Sequence, residues 1–292
     1  MGGLAAKQGY DMLCRRGPFR AVSSRQFADL LRDLGAANLI TQSHDGTLVL
    51  DLEGERLVNH YDFYAAFSTP EEYRLIADGN QLGSLPIVAP LFEGCYLIFG
   101  GRRWKVIRVD SEDNVVELTP SEGGRPPVFG GMGAMVRGEV RQAMRQVYAS
   151  GEEPRFVDPR GLKLLEEGRR AFREMGLRDR QFIPAGRDAL WVPWVGDCAL
   201  NAIEIALRER GLDVETSGLI IKVNDTAVGD LKAVVQQLRA EGFGNPIRLA
   251  TRVRNKQVEK HHVYLREELL AADYTSLFFN LEDAQAALEG SD

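Results

Sequence analysis

The chain has 292 residues, 44% apolar and 27% charged, which is the make-up of an ordinary globular protein of about two domains. Its 36 Lys and Arg stand against 42 Asp and Glu, a formal net charge of −6, and this argues against a protein that coats nucleic acid by bulk electrostatics. No apolar run approaches the roughly 18 residues of a membrane-spanning helix, and the N-terminus has no apolar core of signal-peptide type. Cys14, Cys95 and Cys198 lie far apart without a CxxC pair, which fits a reducing cytoplasm and offers no zinc framework.

Residues 1–58 read as a small helix-turn-helix module with a wing. Leu4 to Arg15 is an amphipathic helix ended by Gly17-Pro18. Ser23 and Gln26 form a capping-box signature for the next helix, in which Phe27, Leu30, Leu31 and Leu34 keep the 3.6-residue period until Gly35. Leu39 to Gln42 and Thr47 to Leu50, joined through Asp45-Gly46, predict a hairpin. Helix, helix, hairpin is the order of a winged helix that lacks its first helix.

A second domain, 61–292, begins with a predicted strand at Asp62 to Phe67, a short helix from Pro70 to Asp78, and a connection at Leu82 to Pro86 into a strand at Cys95 to Phe99. Arg103 to Val109 should pair with Val115 to Thr119 across the turn cluster Asp110 to Asn114, and a Gly/Pro-rich strap follows to Phe129. Helices are predicted near 137–150, 158–175 and 197–210, the last with Asp197 as N-cap and Gly211 as its stop. Leu219 to Val223 reads as a strand, Asp230 to Glu241 as a helix, and Pro246 to Val253 as another strand; helices near 264–272 and 281–289 close the chain. The fold class is therefore α+β: a truncated winged helix followed by a larger β-rich α+β domain.

The hairpin carries the densest chemistry. Trp104 sits among Arg102, Arg103, Lys105 and Arg108; cations hold phosphates and an aromatic face stacks on bases, so this is a candidate nucleic-acid surface. A hairpin Trp also serves as core, and the residue alternation alone does not decide between the two roles. The crowd of cations predicts partial exposure. Arg137, Arg141 and Arg145 recur every four residues and would stack along one face of the 137–150 helix, either tracking phosphates or forming a solvated face. Residues 246–266 hold six further Lys and Arg against one acid, Glu259.

Enzyme motifs are missing. A P-loop requires a Gly-Lys pair, which occurs nowhere in the chain, and no acidic box is present to hold magnesium. Gly100-Gly101 and Gly123-Gly124 lack the strand-GxGxxG-helix context of dinucleotide binding. His261 and His262 would point to opposite sides of a strand, a poor start for a tetrahedral metal site.

Gly101-Arg-Arg-Trp104-Lys-Val-Ile107, Val115 to Pro120, the strap to Phe129, and Trp191-Val-Pro-Trp194-Val-Gly196 before a helix together resemble the post-motor half of Lhr-type (large helicase-related) superfamily 2 helicases. Gly54-Glu-Arg56, closing the wing, and Asp62-Phe63-Tyr64 with Leu82-Gly83-Ser84-Leu85 continue the resemblance upstream, so that it spans nearly the whole chain. It implies a nucleic-acid-binding C-terminal or accessory region of an ATP-dependent helicase, with single-stranded DNA or an RNA:DNA hybrid as partner. Trp104 would then occupy the place where that family stacks on a base. The two RecA-like motor domains are absent, so the resemblance implies no ATPase in this chain, ATP and Mg entering only through a motor encoded upstream or elsewhere. The competing expectation is a protein-protein docking or scaffold module built on a winged helix.

Overall fold

The computed structural model describes residues 3–61, 63–64, 72–86, 91–121 and 135–291. Helices make up 44% and sheets 21%, and among the described residues the strands are gathered into three separate sheets rather than alternating with helices around one; the class is α+β. The chain divides into two compact units, residues 1–71 with 256–273, and residues 72–255 with 274–292. Residues 256–273, which the sequence reading placed with the second domain, thus join the N-terminal unit.

In the N-terminal unit, β1 (Leu4–Ala5) leads into α1 (Ala6–Tyr10), which loosens into a π-helical turn at Asp11–Arg15. α2 (Ser24–Ala36) opens with the capping box anticipated from the sequence: the Gln26 N–H donates to Ser23 Oγ (3.2 Å), and the Ser23 N–H donates to Gln26 Oε1 (2.9 Å). β2 (Ile40–Gln42) and β3 (Thr47–Leu50) form the hairpin, and β1 pairs with β3 to give an antiparallel sheet of order β1-β3-β2. Asp45 accepts from the Ser43 hydroxyl and the Thr47 N–H at the hairpin tip, which holds its carboxyl below the usual range. Gly54 does not close this hairpin; it lies in α3 (Leu52–Asn59), where a Cβ would run into the Leu39 carbonyl. Asp33, 8% exposed, accepts from both the backbone N–H (2.9 Å) and the side chain of Arg266, which ties segment 256–273 to α2 across 233 residues of sequence.

The larger unit starts with a correction. The predicted helix at Pro70 to Asp78 is β4 (Glu72–Ala77): Tyr73, Leu75 and Ala77 are buried while Glu72 and Arg74 are exposed, the period of a strand. The predicted connection at Leu82 to Pro86 is part of β5 (Asn80–Pro86), where a Cβ on Gly83 would stand 2.5 Å from the Phe99 ring. β6 (Tyr96–Phe99), β7 (Arg102–Asp110) and β8 (Val115–Pro120) complete a five-stranded sheet of order β5-β4-β8-β7-β6, with β4 and β8 parallel. The anticipated β7–β8 pairing is present, with a bulge between Val106 and Arg108.

α4 (Gly138–Ala149), α5 (Pro159–Glu174), α6 (Asp197–Glu209) and α7 (Val228–Glu241) fall where the apolar periodicity put them. A four-stranded sheet escaped the sequence reading except for its β12: β9 (Phe182–Ala185), β10 (Asp188–Trp191), β11 (Val214–Ser217) and β12 (Ile220–Val223), in the order β11-β12-β10-β9. α6 is buried nearly all round, through Ala199, Leu200, Ala202, Ile203, Ala206 and Leu207, as a central helix should be.

Pro246 to Val253 is not a strand. α8 (Pro246–Ala250) begins with Pro at its first turn, and Asn245 caps it by accepting from the Ile247 N–H at 3.0 Å. α9 (Glu267–Phe278) and α10 (Leu281–Glu289) follow. His261 and His262 lie at a 3-10 turn, not on a strand. Of the predicted strand Asp62 to Phe67, Asp62 and residues 65–67 lie outside the described residues, as do 122–130 of the strap; Phe63 donates its N–H to the His60 carbonyl in a turn.

Candidate nucleic-acid interface

The β6–β7–β8 layer presents two faces. On one, Leu97, Trp104, Val106, Val109, Val116 and Leu118 are all buried; the bulge at Ile107 keeps Val109 on the buried side despite the odd spacing. Trp104 is 7% exposed, stands opposite Leu97 on β6, and donates Nε1–H to the Phe99 carbonyl at 3.1 Å. The expectation of a partly exposed ring is therefore corrected. Its polar edge is satisfied by backbone and its faces are packed, so in this conformation the ring offers nothing to a base.

The other face carries Arg103, Lys105 and Arg108, and they differ among themselves. Arg102 begins β7 with the same parity as Trp104 and is exposed there. The Arg103 side chain is 7% exposed, lies 3.8 Å from Glu215 and 5.6 Å over the Tyr96 ring, and makes no hydrogen bond to the described residues through any of its three nitrogens. Burying a guanidinium without hydrogen bonds is costly, and the nearby carboxylate and ring only partly offset it. Lys105 is half-buried with its ammonium 5.7 Å from the same Tyr96 ring. Arg108 spends its charge on Asp110 (3.2 Å) and Glu117 (3.7 Å).

The arginine stripe of α4 is likewise divided. Arg141, the middle member, turns inward: its side chain is 10% exposed and Nη2 donates to Asp197 Oδ1 at 3.0 Å. This corrects the reading of a uniform outward face. Arg137 precedes α4, is exposed, and pairs with Glu139 at 3.2 Å. Arg145 is half-buried and donates to the Arg178 carbonyl at 3.3 Å. Among the described residues no hydrogen bond or ion pair joins this stripe to the hairpin cations.

Asp197 is also not an N-cap. Gly196 holds that position, and the Asp197 carboxylate instead accepts from the Val136 N–H (2.8 Å) and from Arg141. A Cβ on Gly196 would come within 2.7 Å of the Gly138 nitrogen, so this close approach of two chain segments needs glycine. Trp194 is 2% exposed, adopts φ 57, and packs edge-on to Phe172 at 5.9 Å while Gln142 donates to its carbonyl at 3.0 Å. The Trp191 to Gly196 motif thus builds the core around α4, α5 and α6.

Near β7 a cleft brings Lys105, Arg208, Arg252 and Arg254 together with Glu93, Glu209 and Asp213, a mixture of signs that selects no single class of ligand. No cluster of three His, Cys, Asp or Glu able to hold a metal occurs among the described residues. His262 Nδ1 is occupied, accepting from the Val258 and Glu259 N–H groups at 3.2 Å each. Burial pushes the Cys95 thiol up to about 11, and burial together with Asp197 raises that of Cys198, so neither is an activated nucleophile.

Sequence reasoning passed over a second cationic surface, the turn between α1 and α2. Residues 12–28 contain Arg15, Arg16, Arg20 and Arg25 and no acid. That run was visible in a net-acidic sequence; it was overlooked because the capping box and the apolar period absorbed the reading of the same residues. No family model, curated protein or solved structure matches the chain.

Proposed function

We propose that the chain is a nucleic-acid-binding accessory or C-terminal region of an Lhr-type ATP-dependent helicase, without an ATPase of its own. The observation that supports this best is the N-terminal unit: two helices joined by a tight turn, and a sheet of order β1-β3-β2 in which the short strand that precedes the helices pairs with the far arm of the hairpin that follows them. We read this as the strand arrangement of a winged helix lacking its first helix, a module that places the second helix of its helix-turn-helix against nucleic acid. The order of the hairpin, strap and Trp191 to Gly196 motifs behind it carries the resemblance to the helicase family. Ultraviolet crosslinking of the purified chain to an oligonucleotide carrying 4-thiothymidine, with peptide mapping, tests the proposal. Crosslinks to the single-stranded probe, and no phosphate release from ATP above a mock preparation, are expected. A chain that forms no crosslink, or that hydrolyses ATP, overturns it.

A protein-docking module remains the second reading, because Leu30, Leu34, Leu57, Phe63 and Tyr264 line an apolar groove in the same unit. Such a module would bind a partner with little dependence on salt and would not crosslink to the oligonucleotide.

A further inference from the structure

We propose that the turn joining α1 to α2 is a binding site for single-stranded nucleic acid, in which Phe19 stacks on a base and Arg16, Arg20 and Arg25 hold the flanking phosphates. This rests on the nucleic-acid reading above and gives it a location away from Trp104. Three observations converge.

The first is charge. In a chain of net charge −6, residues 12–28 carry four arginines and no acid. Arg15 is taken up by Asp11 at 3.2 Å, whereas Arg16, Arg20 and Arg25 are exposed and have no carboxylate partner among the described residues. Unpaired surface guanidinium groups are what a polyanion recruits, since each phosphate contact releases a condensed counterion.

The second is the ring. Phe19 is 53% exposed and lies between Arg16 and Arg20 in sequence. Phe156 is more exposed, at 91%, but over residues 152–160 the acids Glu152, Glu153 and Asp158 outnumber Arg155 and Arg160, so its surroundings favour a phosphate strand less. Phe19 has the opposite surroundings.

The third is rigidity. The Phe19 N–H donates to the Leu13 carbonyl (3.1 Å), the Val22 N–H donates to the Phe19 carbonyl (3.1 Å), and the Tyr10 hydroxyl donates to the Val22 carbonyl (3.4 Å). A Cβ on Gly17 would stand 2.5 Å from the Leu13 carbonyl oxygen, so the turn closes as tightly as glycine permits. The ring is thus displayed by a fixed turn, which lowers the ordering cost of binding. An aromatic face needs an unstacked base, which a single strand supplies and a duplex does not.

The test is fluorescence anisotropy of the full chain with a labelled oligothymidylate of about 16 nucleotides, the upper end of single-strand site sizes, beside a duplex of equal length. Phe19→Ala should weaken oligothymidylate binding about tenfold, and Phe19→Trp should restore it. Arg16→Gln, Arg20→Gln and Arg25→Gln together should flatten the slope of log affinity against log salt by about 2 units, at about 0.7 per lost phosphate contact on a single strand. Wild-type binding that is salt-dependent yet indifferent to Phe19→Ala would overturn this site while leaving the proposed function standing. Tighter binding of the duplex, unaffected by Phe19→Ala, would overturn it in favour of backbone contacts alone. A wild-type chain that binds neither probe would overturn both.

Discussion

Trp104→Ala separates a core tryptophan from a stacking one by which quantity moves. A tryptophan buries about 150–250 Å² of surface. At about 25 cal/mol per Å² this stabilises the fold by about 4–6 kcal/mol, an upper estimate because the unfolded chain already covers part of the ring. Alanine retains a fraction of that area and leaves a cavity beside Leu97, Val106 and Leu118, so the net loss falls near the 3–5 kcal/mol typical of large aromatic deletions. The lost Nε1–H bond to Phe99 adds about 1 kcal/mol. For a unit of about 200 residues each kcal/mol lowers the melting temperature by about 2–4 °C, so the combined loss of about 4–6 kcal/mol gives a fall of about 8–24 °C. Trp104→Phe should recover most of it. Differential scanning calorimetry measures the shift, and anisotropy well below the melting transition measures single-strand affinity, which should hold for the folded variant. A melting temperature unchanged within about 2 °C, coupled to a clear loss of affinity, would refute the buried assignment.

Removing either member of the Arg141–Asp197 pair should cost about 1.5–3 kcal/mol in urea denaturation, and the double variant should cost less than the sum, because each charge left alone is poorly hydrated. An additive pair would show that the contact at 3.0 Å contributes nothing. Asp188 is held below the usual carboxylate range by a hydrogen bond from Lys222 and by the Asp225 N–H. Its contribution to stability is therefore complete above the unfolded Asp value of about 3.9 and is lost as pH falls through the lower folded value, so Asp188→Asn should flatten the acid limb of a stability-pH curve below about pH 4. An unaltered acid limb would contradict that. Native protein should lose at most Cys198 to a thiol reagent such as Ellman's, Cys14 and Cys95 reacting only on denaturation; rapid native labelling of two or more thiols would show the cores to be open.

Periodicity was a good guide wherever one face is apolar. Ser23 and Gln26 announced α2, and the β-branched runs either side of Asp110 to Asn114 announced β7 and β8. Errors fell where two physical signals compete. Pro70 suggested a helix start, but Tyr73, Leu75 and Ala77 alternate, and pairing with β8 made that alternation the stronger influence. Pro246 was read through its β-branched and aliphatic neighbours, whereas Asn245 before it is a helix cap. β9 and β10 are four residues each, too short for a period to stand out, and their pairing is decided by contacts the local sequence does not display.

The candidate site was less legible than the fold. Cations at Arg102, Arg103 and Lys105 and the stripe at Arg137, Arg141 and Arg145 were visible as residue types. That Arg103 and Arg141 face a carboxylate depends on Glu215 and Asp197, distant in sequence, and that information is tertiary. Trp104 shows the same dependence: its neighbours are charged along the strand, while the residues it packs on come from β6 and β8.

Binding of the chain to a labelled single strand as a function of salt tests the central claim most directly. Three phosphate contacts predict a fall in affinity of about 20-fold between about 50 and 200 mM monovalent salt. An affinity indifferent to salt over that range, or no binding at the lower concentration, would contradict the nucleic-acid reading and favour the apolar docking groove.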